Sequence, residues 1–210
     1  MVRVWLPDRP GALGAVASRI GAVRGDVIAI DVLERGGGRA VDELTVALAD
    51  PELVDLLVAE IGEVDGVDVE DVRPHHGDGT DRAVAALEVA RAIVEVDDAD
   101  DLHRVLCREL KRLVGAGWVA IVDLAHNLVL ASAGEDVPDE KWLSAFIGAT
   151  DHHSGVVDEL TYCPIDRVNP TYLVVSRTRP PLRAAELAVI EELAGMVARR
   201  EADLAEQQPA

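Results

Sequence analysis

Aromatic residues make up only 3% of this 210-residue chain: three Trp, two Tyr and one Phe. The core must therefore be aliphatic, built from Val, Leu, Ile and Ala. There are only two cysteines, Cys107 and Cys163, with no spacing motif. That excludes a disulfide scaffold and fits reduced, buried thiols in a cytoplasmic protein, the alternative being one Cys107–Cys163 disulfide. No run of 18 apolar residues occurs, so no transmembrane helix is expected. The N-terminus enters a strand with no basic n-region and no apolar h-region, so no signal peptide is expected. Positive charge is scarce: 20 Lys and Arg stand against 39 Asp and Glu, a formal net charge of −19. Such a field repels phosphate backbones and anionic lipid, which argues against nucleic acid and membrane as partners. Catalytic signatures are missing too. There is no Walker loop, no Gly-x-Ser-x-Gly elbow, no His-Glu-x-x-His and no paired-cysteine metal motif. The expectation is a protein that is not an enzyme and carries no cofactor and no metal.

What is present begins with Leu6-Pro7-Asp8-Arg9-Pro10-Gly11-Ala12-Leu13-Gly14. A short strand (Val2, Val4, Leu6) runs into an Asp-Arg-Pro-Gly turn. A helix over about 11–24 then places Leu13, Val16, Ile20 and Val23 at helical spacing. Gly25 is expected to end it. A second strand, about 26–34, alternates Ile28, Ile30 and Val32 with Val27, Ala29 and Asp31. Gly36-Gly37-Gly38 makes a hairpin turn and not a phosphate loop, because a strand follows it. That strand, about 40–49, sets Leu44, Val46 and Leu48 against Glu43, Thr45 and Ala47. Asp50 and Pro51 read as cap and first position of a helix carrying Leu53, Leu56, Leu57 and Ile61. Gly66 precedes a last strand, 67–72. The order βαββαβ implies a four-stranded antiparallel sheet with two helices on one face, the ferredoxin-like arrangement.

The Asp-Arg-Pro-Gly-Ala-Leu turn, followed by Gly25-Asp26-Val27-Ile28-Ala29-Ile30, resembles an ACT domain over residues 1–74. The resemblance implies an amino-acid-binding regulatory module whose copies pair side by side, with the ligand at or near the dimer interface. The physics of the turn agrees, because a helix N-terminus has unpaired N–H groups and a positive dipole end. The backbone of Gly11, Ala12 and Leu13 is placed to hold a carboxylate, with Pro10 shaping the turn. Asp8 and Asp26 are placed to pair with an ammonium group, and Val27 sits beside Asp26. Gly11 and Gly14 are expected to permit close approach. Many amino-acid-binding members of the family have asparagine where Asp26 stands. The competing reading is that Asp8 caps the helix and Asp26 faces only water.

Residues 75–81, with His75 and His76, read as a polar linker. Beyond it, helices are expected over Arg82 to about Val94 (Val84, Leu87, Val89 and Ile93 apolar) and from the Asp97–Asp100 caps through about Leu113 (Leu102, Val105, Leu106 and Leu110 inward). Gly115 and Gly117 stop the second. Strands follow at Trp118–Asp123 and Leu128–Ala133. Pro138 opens a helix with Trp142, Leu143, Phe146 and Ile147. Val156–Ile165 and Thr171–Arg177 read as paired strands, and a long helix runs from about Leu182 to Leu204. The stretches Tyr172–Arg177, Arg179–Leu182 and Glu186–Ala194 resemble the closing strand, turn and C-terminal helix of a GAF domain, so residues 82–210 are expected to form an α+β GAF-like unit around a central antiparallel sheet. Between Ala133 and Val156 there is room for one helix only, whereas GAF domains carry longer inserted segments that wall the ligand pocket.

Other candidate groups read as bland. Cys107 and Cys163 read as inert core thiols, and His103 as a surface or satisfied histidine. Asp151-His152-His153 resembles a phosphoesterase run whose companion motifs are absent. The final helix packs on its own sheet or also pairs with its copy. Arginine far outnumbers lysine amid much Ala, Val and Asp, which suggests a high-G+C bacterium, an actinobacterium for example. Three readings compete: an amino-acid sensor acting as a homodimer through a downstream protein, an interaction module whose acidic surface takes a basic partner, and an enzyme with an unfamiliar site.

Overall fold

The computed structural model describes residues 1–74, 82–166 and 169–207. The expected linker at 75–81, with His75 and His76, lies outside the described residues. The chain divides into two compact units, Met1–Asp81 with Arg183–Ala185, and Arg82–Leu182 with Glu186–Ala210. Both are mixed α+β with antiparallel sheets.

The first unit runs β1 (Val2–Pro7), α1 (Ala12–Ala22), β2 (Asp26–Gly36), β3 (Arg39–Ala47), α2 (Val54–Gly62) and β4 (Asp68–Val72). Its sheet order is β2-β3-β1-β4, and each neighbouring pair is antiparallel. Gly37 and Gly38, both at positive φ (61° and 76°), form the two-residue turn between β2 and β3, the primed geometry that matches strand twist. Asp50 starts the next helical segment by accepting from the Glu52 N–H at 2.9 Å, with Pro51 in the first position. Val2, Val4 and Leu6 of β1 alternate into a core shared with Ala40 and Leu44 of β3, Val16 and Ile20 of α1, and Leu57 and Ile61 of α2.

One expectation needs correction here. The left-handed residue that ends α1 is Arg24 (φ 60°), not Gly25. Gly25 is required for space instead: a Cβ there would stand 2.9 Å from Ile20 Cγ2 and 3.2 Å from Leu48 Cδ2. Leu56 is 48% exposed, because α2 turns only Leu57 and Ile61 fully inward.

The opposite face of this sheet carries charge. Asp31, Glu43, Arg3 and Asp71 are register partners in one row across the four strands. Arg3 Nε and Nη2 donate to Glu43 Oε1 at 3.0 and 2.9 Å, and Arg73 Nη2 donates to the same oxygen at 2.8 Å. Such a buried cluster holds only because each charge meets its opposite.

The second unit runs α3 (Arg82–Val94), α4 (Ala99–Val114), β5 (Trp118–Asp123), β6 (Leu128–Gly134), α5 (Glu140–Gly148), β7 (Gly155–Val157), β8 (Leu160–Asp166), β9 (Thr171–Ser176) and α6 (Ala184–Gln207). Its sheet order is β6-β5-β9-β8-β7, antiparallel throughout. Asp98 caps α4 by accepting from the Asp101 N–H at 3.0 Å, and Gly115 (φ 63°) closes it. Val119, Ile121, Leu173 and Val175 join α4 and α6 in the larger core. Ala120, Val122, Tyr162, Tyr172 and Val174 form a second cluster with Leu143 and Ile147 of α5, Phe146 packing on it. The strand expected over Val156–Ile165 is in fact two, β7 and β8, broken at Asp158, which turns at φ 52°. Of the apolar residues of α3, Val89 and Ile93 are buried, while Val84 and Leu87 are 47% and 69% exposed. Among the described residues no helix is long and apolar enough to cross a membrane.

Candidate functional site

The turn at residues 8–14 leaves α1 open at its N-terminus. Gly11 occupies the N-cap at φ 88°, a left-handed conformation that glycine adopts without strain. No side chain caps the helix, and its first turn holds no acidic residue. By contrast, Asp98 caps α4 and Asp139 caps α5, each through a side-chain oxygen. The Ala12 N–H donates to the Arg9 carbonyl at 3.3 Å. Among the described residues, the N–H groups of Gly11, Leu13 and Gly14 have no acceptor. The amides left without an acceptor among the described residues are therefore those of Gly11, Leu13 and Gly14, with Ala12 already engaged. Three such donors at a positive dipole end suit a carboxylate.

Asp8 is exposed, and its own N–H donates to the Gly38 carbonyl at 2.9 Å. Its carboxylate takes no amide of α1, so the capping role does not hold. Pro10 is exposed in the turn. A Cβ built on Gly11 or Gly14 would meet nothing within 4 Å. Gly11 is thus needed for its φ, and the space before both glycines is open, with no close approach at Gly14.

Asp26 and Val27 stand at the other end of the unit. Gly36 pairs with Arg39, which pairs with Pro7, so the far end of β2 is the end near Asp8. Asp26 pairs instead with Ala47. Ten residue steps along β2 span about 33 Å at the usual strand rise. Within one chain, Asp8, Pro10, Gly11, Ala12 and Leu13 are brought together, and Asp26 and Val27 are not among them. The structure also shows a charged residue that sequence reading missed. Asp42 of β3 points to the helix-bearing side of the sheet, in register with Val4 and Val32. It is 3% exposed, and its Oδ1 has no hydrogen-bond partner. Burial pushes its carboxyl above the usual carboxylate range; Arg35 pulls it back, and Asp8 pushes further. The signal was an acidic residue at an inward position of the β3 alternation.

The second unit holds less. Cys107 and Cys163 are free and buried, and burial pushes both thiols up to about 12. At pH 8 the thiolate is then about one part in ten thousand. A thiol reagent is expected to leave the native protein unlabelled over hours and to label both cysteines after unfolding; fast native labelling would overturn the assignment. His103, expected at the surface or satisfied, is buried and pairs through Nε2 with Glu201. His152 and His153 are exposed, and His153 Nδ1 bonds the nearby Asp151 carbonyl at 2.9 Å. A groove of about 540 Å³ lies between α3 and α4, and another of about 470 Å³ beside β6 and the start of α5. Among the described residues, no group of three or more His, Cys, Asp or Glu is placed to hold a metal ion.

No protein-family model and no curated protein matches the sequence. Solved structures similar to it include the GAF domain of an Acinetobacter phosphoenolpyruvate-protein phosphotransferase, at 12% identity over 61% of this chain and 96% of that one, TM-score 0.49. A methyl-accepting chemotaxis protein fragment, residues 122 to 287, is similar at 13% identity over 58% of this chain and 99% of that one, TM-score 0.48. The bacteriophytochrome RpBphP3 of R. palustris is similar at 13% identity over 86% of this chain and 48% of that one, TM-score 0.47.

Proposed function

We propose that the chain is a non-catalytic regulatory protein that binds an amino acid or a similar small ligand through an ACT-type first unit, and that its second unit is GAF-like. The observation that carries the reading is the open N-terminus of α1, where Gly11, Leu13 and Gly14 present unpaired amides. An α-carboxylate is the small anion that fits three such donors. Asp8 beside them supplies the opposite charge that a zwitterion needs. The GAF-like reading rests on the sheet order β6-β5-β9-β8-β7 with α4 and α6 against one face.

A homodimer accounts for Asp26 and Val27. β2 is an edge strand, and Ile28, Ile30 and Val32 along it are 52%, 42% and 42% exposed. Exposed apolar edges invite pairing with another strand. If two β2 edges pair antiparallel about their midpoint, each strand's start meets the other's end. The second copy's Asp26 then lies at the end of the sheet where Asp8 stands. Ligand binding at such a place biases how the copies pair, and a downstream protein would read the change.

The second reading, an interaction module without a ligand, is favoured by the same exposed β2 row and is separated by experiment. The test is a thermal-shift screen of the full chain against the twenty amino acids. A true ligand at about 100 times its Kd adds about 2.7 kcal/mol of stability. One responding amino acid, with the response lost in Gly11→Val and weakened in Asp26→Ala, supports the sensor. A flat screen on a folded dimer supports the interaction module.

A further inference from the structure

One carboxylate oxygen in the first unit is buried with no hydrogen-bond partner among the described residues. Asp42 sits between Ala40 and Leu44 on the helix-facing side of β3, with Val4 opposite on β1 and Val32 opposite on β2. It is 3% exposed, and Oδ1 is bare. Every register neighbour on that side is apolar, so valine or leucine would pack there at no electrostatic cost. A buried carboxylate without a hydrogen bond is unfavourable, and natural structures keep few of them. Two charged groups act on it: Arg35 from β2 and Asp8 from the turn that opens α1. The buried residues of α1 are Ala12, Val16 and Ile20, none of them charged. Arg35 gives Oδ1 no hydrogen bond. Oδ1 is therefore left without a donor among the described residues.

We propose that Asp42, with Asp8, receives the ammonium group of an amino acid whose own side chain is apolar. This rests on the amino-acid reading above and moves the ammonium receptor within a chain from Asp26, a strand's length away, to Asp42. The ligand's carboxylate faces the amides of Gly11, Leu13 and Gly14. Its side chain lies on Val32, directly opposite Asp42, and on Ile30, both 42% exposed on the edge strand. Those two side chains offer no hydrogen bond, so a polar ligand side chain would lose its water without replacement. An ammonium on Asp42 makes a charge-assisted hydrogen bond in a dry place, the strongest kind available here.

The test uses the full chain with L-valine, L-leucine and L-isoleucine, their N-acetyl forms, and L-serine and L-glutamine for comparison. Binding is read by calorimetry and melting temperature. The free apolar amino acids are expected to bind, while the N-acetyl forms, which lack the ammonium, and the polar pair bind roughly tenfold more weakly or worse. Asp42→Asn keeps the shape and removes the charge, and it is expected to lose affinity roughly tenfold or more. Without ligand the same variant melts higher at pH 7, by about 4 °C or more. The sign follows from the raised carboxyl: the folded state prefers the protonated acid, so wild type loses stability as pH rises through the folded value. The gain of Asp42→Asn should therefore vanish below the ordinary carboxylate range. Asp42→Val is the second folded variant and should behave likewise. If Asp42→Asn and Asp42→Val bind as wild type does, the assignment falls while the amino-acid reading stands. If serine or glutamine binds best, the apolar class is wrong. If no amino acid binds wild type at all, both readings fall together.

Discussion

Glu43→Ala is expected to destabilise the first unit by about 3–5 kcal/mol, the range for breaking one side of a buried ion pair. Glu43 has 1% of its side chain exposed and Arg3 has none. One oxygen, Oε1, accepts from both Arg3 and Arg73. Truncation removes that oxygen and leaves two guanidinium groups facing the same vacated place, in a medium that screens their repulsion poorly. Glu43→Gln keeps an acceptor but loses the charge, so its cost should be smaller. The double replacement Glu43→Leu with Arg3→Met should cost less than Glu43→Ala alone, because it removes both charges and fills the volume. The measurement is amide exchange of β1 and β3, which isolates the first unit when the two units unfold separately. A loss below about 1 kcal/mol would mean that the cluster behaves like a surface pair.

That cluster also marks the limit of what the sequence could show. The alternation of β3 placed Leu44 and Glu43 on opposite faces, and the structure agrees for that pair. Glu43 is nonetheless buried. Periodicity reports which residues share a face; it does not report what covers the face. The same gap applies to Leu56, Val84 and Leu87, apolar residues that stay exposed because α2 and α3 each turn only two residues fully inward. Short-range chemistry was more legible. Asp50, Pro51 and the Gly37-Gly38 turn act within a few residues of themselves, and all took the expected role. The Asp158 break in the expected strand 156–165 was missed because Asp adopts positive φ only occasionally and nothing local demanded it. The candidate site was half legible. The turn from Asp8 to Gly14 is contiguous and could be read as one anion-binding end. That Asp26 lies about 33 Å down its strand, and that Asp42 lies in the helix-facing layer, both depend on register between strands, which a single sequence does not encode locally.

In the second unit, Glu186→Ala is expected to cost a similar amount, about 3–5 kcal/mol, on the same buried-pair argument. Glu186 lies in the first turn of α6, where a negative charge also favours the helix dipole. Its side chain is fully buried. Arg177 Nη1, just past β9, donates to Glu186 Oε1 at 2.6 Å and to the Val114 carbonyl at the end of α4 at 2.8 Å. Arg82 Nη1, at the start of α3, donates to the same carboxylate oxygen at 3.0 Å. One carboxylate therefore ties together the start of α3, the end of α4, the exit of β9 and the entry of α6. The sequence displayed Arg177 and Glu186 inside the stretch that suggested a closing strand and helix, but nine residues of separation gave no hint that they meet. The expected signature is specific. Exchange should accelerate in the first turns of α6 and of α3 together, because both lose the same partner, while the middle of α6 stays anchored by Ile190, Leu193 and Val197. Glu186→Gln should recover part of the loss. If α6 alone loosened, the Arg82–Glu186 bond would contribute little to holding the start of α3.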